Sequence, residues 1–124
     1  MAVPILRQGD FLIASIQSSL SDSEVLLLRD DLAERVGKHR ARGIIVDVAA
    51  LDVIDSFVAR SLRGIALTAK MRGAETVIVG IQPDVAVAMV QFGLNLEPIH
   101  TALDLEEGVS LLRRWTGRGD DDGG

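Results

Sequence analysis

Ser56 has the strongest claim to chemistry among the side chains of this sequence. It follows Asp55 directly, where an irregular stretch gives way to a helical pattern. Two readings of it stand. In the first, one of the pair Asp55–Ser56 caps the helix, its side-chain oxygen accepting a first-turn backbone N–H. In the second, Ser56 is a phosphoacceptor, because a phosphate at a helix N-terminus meets N–H groups with no partner inside the helix. Ser23, after Asp22 at another predicted helix start, carries the same two readings, with capping the stronger.

The other polar candidates offer less. His39 lies among Lys38, Arg40 and Arg42 and reads as a solvated helix end. His100 has Glu97 three residues before it, too few convergent ligands for a metal. Asp47, Asp52 and Asp55 fall at and after the end of a predicted strand, where α/β folds place their sites. Such carboxylates could hold Mg²⁺, as in a phospho-aspartate receiver. The early acidic pair of receivers is missing, however, so helix capping and loop solvation are the expected roles. Neither Gly-x-x-x-x-Gly-Lys-Ser/Thr nor Gly-x-Gly-x-x-Gly occurs, which removes the usual phosphate-binding loops. With two histidines and no cysteine or tyrosine, general acid-base groups are few and thiolate sites are excluded.

These residues need elements to position them. Val3–Leu6 and Phe11–Ile16 read as strands around a tight turn at Gln8-Gly9-Asp10. Ser21-Asp22-Ser23-Glu24 opens a helix with Val25, Leu28, Leu32 and Val36 inward and Gly43 as its stop. Ile44–Val48 is an apolar β-branched run, a buried parallel strand with Ile45 and Val46 in the core. From Ser56, Val58, Leu62, Ile65 and Ala69 share one helical face, and Gly73 ends that helix. Thr76–Ile81 is the next strand. Pro83 suits the first turn of a helix with Val85, Ala88, Met89 and Phe92 inward and Gly93 as its stop. Pro98-Ile99-His100 is a short last strand. Asp104 and Glu107 resemble a capping box for a final helix running to about Trp115, with Leu105, Val109 and Leu112 inward.

Strands alternating with helices after an opening hairpin predict a mixed, mostly parallel sheet of about five strands with about four helices. The 124 residues suit one domain, and 48% hydrophobic content is enough for a real core. Residues 1–116 are expected to form it. Residues 117–124 have nothing to pack and are expected to be a disordered acidic tail. The Arg118-Gly119-Asp120 tripeptide within it reads as chance. The tail holds three aspartates and one arginine, two units of the net charge of -5. An acidic balance argues against non-specific nucleic-acid binding. No window approaches a membrane span and no signal peptide is visible, so a soluble, cytoplasmic protein is expected.

Three segments carry a family resemblance: Val53-Ile54-Asp55-Ser56-Phe57-Val58-Ala59-Arg60, Gly80-Ile81-Gln82-Pro83-Asp84-Val85-Ala86, and Thr101-Ala102-Leu103-Asp104-Leu105-Glu106-Glu107-Gly108. Across residues 3 to 115 the chain resembles STAS domains, the SpoIIAA-like α/β fold of bacterial anti-sigma-factor antagonists. Within them it is most similar to RsbS-type subunits of the stressosome. The resemblance implies a non-enzymatic scaffold and switch, with no cofactor, no catalytic residue and no metal. It implies that Ser56 is phosphorylated by an RsbT-type kinase, which the scaffold otherwise sequesters. It further implies co-assembly with RsbR-type STAS subunits in a large hetero-oligomer, and dephosphorylation by an RsbX-type phosphatase. Asp52, Asp55 and Phe57 are expected to form the switch loop and its partner contact. Ser23 falls near the additional phosphothreonine of RsbR-type proteins. The alternative is a free anti-sigma-factor antagonist. Such antagonists usually carry small residues after the phosphoserine, whereas Phe57 and Val58 follow here.

Overall fold

The computed structural model describes residues 3–91 and 99–117. A two-residue turn at Gly9 and Asp10 joins β1 (Ile5–Gln8) to β2 (Phe11–Ser15), with Gln8 opposite Phe11. That register places the first strand two residues later than its apolar run suggests. Pro4, with no N–H to give a ladder, stands outside it.

The chain then alternates: α1 (Asp22–His39), β3 (Gly43–Asp47), α2 (Ser56–Met71), β4 (Glu75–Val79), α3 (Pro83–Gln91), β5 (Ile99–Ala102) and α4 (Leu105–Thr116). The strands lie in sequence order, β1-β2-β3-β4-β5. Among the described residues only the β1–β2 pair is antiparallel. The expected five-strand, four-helix α/β architecture is the observed one. Because each crossover returns the chain, the N-termini of α1 to α4 all gather at the C-terminal end of the parallel strands.

The two sheet faces are covered unequally. On one, Leu12, Ala14, Ile44, Val46 and Ile78 pack under α1, α2 and α3. The stripes Val25–Leu28–Leu32–Val36 and Val58–Leu62–Ile65–Ala69 are buried there as their spacing predicts, with Val85 and Met89 from α3. On the other face, among the described residues, α4 covers Phe11, Ile13, Ile45, Val77 and Val79, through Leu112. Strands buried on both faces account for the unbroken apolar runs of β3 and β4.

Several expectations are corrected. Gly43 does not stop α1: Arg40 does, in the left-handed conformation at φ 51°. Gly43 opens β3 instead, where a Cβ would fall 2.7 Å from Leu112 Cδ1, so α4 needs a glycine beneath it. Leu105 points outward at 39% exposure. The buried residue of that turn is Gly108, which lets α4 approach Val79 closely. Phe92, Gly93, Glu97 and Pro98 lie outside the described residues. Gly117, assigned above to the tail, is the left-handed C-cap of α4; residues 118–124 are outside the described range.

Candidate functional site

The loop from β3 to α2 is pinned by apolar residues and carries its polar groups outward. Val48 N–H donates to Val79 O at 3.0 Å, Leu51 N–H to Val48 O at 2.9 Å, and Leu51 and Ile54 are buried. Asp52 and Val53 are exposed between those anchors, Val53 at 68%. Asp47 is occupied locally, its Oδ1 accepting the Ala49 N–H at 2.9 Å. Gln82, before α3, braces the loop from the neighbouring crossover by donating to Ala49 O at 2.8 Å. Gly80 permits this approach. Its φ is +76°, and a Cβ there would meet the Ala49 Cβ at 2.8 Å.

At the end of this loop the structure separates the two readings of Asp55–Ser56. Asp55 is the N-cap of α2, and its Oδ1 accepts the Val58 N–H at 2.8 Å. Ser56 is the first helical residue and half-buried, and its hydroxyl has no hydrogen-bond partner among the described residues. Ser56 is therefore not the cap. The amides of Ser56 and Phe57, in the first turn, have no acceptor within the helix. Phe57 is half-buried against the larger core cluster and holds the helix start in place. A small crevice of about 80 Å³, lined by Ser19, Leu20, Leu51, Val53, Asp55 and Val58, lies beside it.

The start of α1 differs. Ser21, not Ser23, is the N-cap, and it forms a reciprocal box with Glu24. Ser21 Oγ accepts the Glu24 N–H at 3.2 Å, and Glu24 Oε1 accepts the Ser21 N–H at 2.8 Å. The Ser21 N–H is the largest of several interactions that hold the Glu24 carboxyl below its ordinary value. Ser23 is exposed, its Oγ 3.2 Å from Ser21 Oγ. At α4 the box is modified: Asp104 accepts the Glu107 N–H at 2.9 Å, while Glu107 accepts from Leu103 rather than Asp104.

The remaining candidates lie away from Ser56. His100 meets Glu75 at 3.2 Å, and its ring lies 4.0 Å from that of Trp115. Sequence separation hid this pair, because parallel strands bring residues 25 apart side by side. His39 is 3.4 Å from Arg7. Desolvation lowers its pKa, and the charges of Arg7, Lys38 and Arg35 lower it further. Among the described residues no three His, Cys, Asp or Glu side chains are grouped as metal ligands, and no helix is long and apolar enough to cross a membrane.

This fold and site define a class: the chain belongs to the STAS domain family, whose signature matches residues 2–108. Among solved structures it is similar to a Moorella thermoacetica RsbS variant. The identity is 33% and the TM-score 0.83, over 92% of this chain and 97% of that one. It is also similar to a chain of the stressosome, described as a signal integration and transduction hub. Here the identity is 31% and the TM-score 0.77, over 91% and 98% of the two chains. The RsbT co-antagonist protein RsbRA of Bacillus subtilis is 26% identical over 91 residues, which is 73% of this chain and 33% of RsbRA. The chain spans about a third of the length of the RsbT co-antagonist relatives it matches.

Proposed function

We propose that this chain is a non-enzymatic scaffold and phospho-switch of a bacterial stressosome, formed by a single STAS domain over residues 1–116. In this reading it co-assembles with RsbR-type subunits, holds an RsbT-type kinase and releases it when Ser56 is phosphorylated. An RsbX-type phosphatase resets the switch. The likeness to RsbS over nearly the whole of both chains supports the assembly.

The observation that carries the switch is the division of labour at α2. Asp55 does the capping, which leaves the Ser56 hydroxyl without structural duty. A phosphate on that hydroxyl would lie beside the unpaired amides of the first turn, where the helix dipole favours negative charge. It would add about 1.5 to 2 negative charges next to Asp55 and Asp52. It would also place an anion on a surface where Val53 is exposed. A partner seated on that surface would meet like charge and a desolvation cost where it had met a neutral hydroxyl. A tenfold loss of affinity needs only about 1.4 kcal/mol.

The test is incubation of the chain with an RsbT-type kinase and ATP, followed by mapping of the phosphate by mass spectrometry. Phosphate at Ser56, abolished in Ser56→Ala, is expected. Uptake elsewhere, or none, overturns the switch. Gel filtration with an RsbR-type protein tests the scaffold separately. A very large particle is expected, whereas a small complex or none would leave the free-antagonist role.

A further inference from the structure

The charges of α2 are unlike those of α1. α1 carries the carboxylates Asp22, Glu24, Asp30, Asp31 and Glu34. α2 carries Arg60, Arg63 and Lys70 and no carboxylate. Helical geometry sets two of these cations in line with Ser56. Arg60 is four residues on, about 6 Å along the axis and about 40° round it. Arg63 is seven residues on and about 20° to the other side. All three flank the buried stripe Val58–Leu62–Ile65–Ala69; Ser56 and Arg63 are half-buried and Arg60 is exposed.

Other arginines are engaged. Arg29 meets Asp30, Arg35 meets Asp31, Arg72 donates to Ala33 O and Arg42 to Thr116 O. Arg60 has no hydrogen bond or ion pair among the described residues, and the Nε of Arg63 is buried without a partner among them. A free cation so near a helix start gains nothing from the dipole, which favours anions there. An anion at one position with a cation four residues on is, however, the favoured order for a pair on a helix. The Cα–Cβ bond of Arg60 tilts toward the N-terminus, and so toward position 56.

The start of α1 has no such arrangement. Leu26 and Leu27 stand three and four residues after Ser23, and Asp30 stands seven after it. A phosphate on Ser23 would meet no cation on its own face of the helix. Phosphorylation of Ser56 instead puts an anion at the head of a stripe that holds two unpaired guanidinium groups.

We propose that Arg60 grips the phosphate of phosphorylated Ser56 within the same chain, with Arg63 adding positive field behind it. The inference rests on Ser56 being the phosphoacceptor. The guanidinium fork matches phosphate oxygens two at a time. The first-turn amides hold the phosphate from one side and Arg60 from the other. Phosphorylation thereby adds an anion and also withdraws a free cation from the surface. A partner that pairs with Arg60 loses it at the moment the phosphate arrives.

Phosphoserine placed at position 56 during synthesis takes the kinase out of the test. Its second ionisation, ordinarily at about pH 6, is followed by phosphorus NMR. In the otherwise wild-type chain it should lie about half a unit lower than in Arg60→Gln, because a neighbouring cation favours the dianion. Arg60 is exposed, so Arg60→Gln should fold as wild type. Arg60→Lys should recover part of the lowering, since it keeps the charge and loses the fork. Asp52 and Asp55 oppose ionisation in all three chains alike and cancel from the comparison. Phosphoserine at position 23 is the control, and Arg60→Gln should not move its ionisation. The same second pKa in wild type and Arg60→Gln would overturn the grip. So would an equal response at position 23, because the effect would then be one of net charge. The titration does not depend on whether a kinase reaches Ser56. The switch therefore fails by phosphate mapping, and the grip fails by this measurement.

Discussion

At the start of α1, Ser21 and Glu24 close on each other and leave Ser23 at the rim. At the start of α2, Asp55 caps alone, no acidic residue stands in the first turn, and Ser56 keeps its hydroxyl unengaged. Both starts use an aspartate followed by a serine. Their difference is one of register. In α1 the serine before the pair takes the cap, so Asp22 becomes the first helical residue. In α2 buried Ile54 precedes the pair, so the aspartate must cap and Ser56 moves into the first turn. A helix start that is fully paired is a structural device. One that leaves a hydroxyl beside unpaired amides, in the first turn after an exposed loop, is suited to a covalent signal.

The largest expected effect is a control that should not distinguish the two starts. Ile45 is fully buried in β3 under α4, on the sheet face away from α1 and α2. Ile45→Ala should cost roughly 2–5 kcal/mol in urea unfolding. A loss under about half a kcal/mol would mean that this strand is not the centre of the sheet.

Partner affinity comes next and should depend on α2 alone. Ser56→Asp should weaken binding of an RsbT-type kinase by about tenfold, equivalent to about 1.4 kcal/mol. The mimic carries one charge where phosphate carries nearly two, so it should fall short of the phosphorylated chain. Ser23→Asp should leave affinity unchanged. Equal weakening by both substitutions, read by calorimetry, would make the effect one of net charge and erase the distinction between the helix starts.

A smaller contrast is in stability. Asp55→Ala and Ser21→Ala each remove a cap and should each cost about 1 kcal/mol. Ser56→Ala should cost less than about 0.5 kcal/mol, because the hydroxyl it removes bonds nothing among the described residues. Ser23→Ala belongs with it. If Ser56→Ala destabilised as much as Asp55→Ala, the serine would be sharing the cap and its freedom would be lost.

That ordering also marks what the sequence made legible. The stripes of α1 and α2 were readable because burial repeats at 3.6 residues whatever lies above them. So was the alternation that gives a parallel sheet. The choice between Asp55 and Ser56 was not readable, since both are good caps and the decision rests on one residue of register. Neither was the role of Gly43 or the outward turn of Leu105, because both follow from how closely α4 lies on the sheet. The pairing of His100 with Glu75 was hidden for a related reason, being set by strand neighbours far apart in sequence.

The smallest expected effect is an acid dependence that α1 should show through Glu24. The Ser21 N–H is the largest of several interactions that lower the folded-state pKa of Glu24 from its ordinary value of 4.5. A carboxylate with a depressed folded pKa binds protons less readily folded than unfolded. Its contribution is therefore fully present above the unfolded pKa and is lost as pH falls through the folded one. Glu24→Gln keeps an oxygen to accept the Ser21 N–H but carries no charge to attract it or to meet the helix dipole. At pH 6 wild type should have the higher urea midpoint of the two. At pH 3 the midpoints should converge, because Glu24 is then substantially protonated and resembles the amide. Denaturation of the two proteins at both pH values decides it. A gap of the same size at pH 3 and pH 6 would show that the carboxylate charge contributes nothing at the α1 start, and that its box is held by geometry alone.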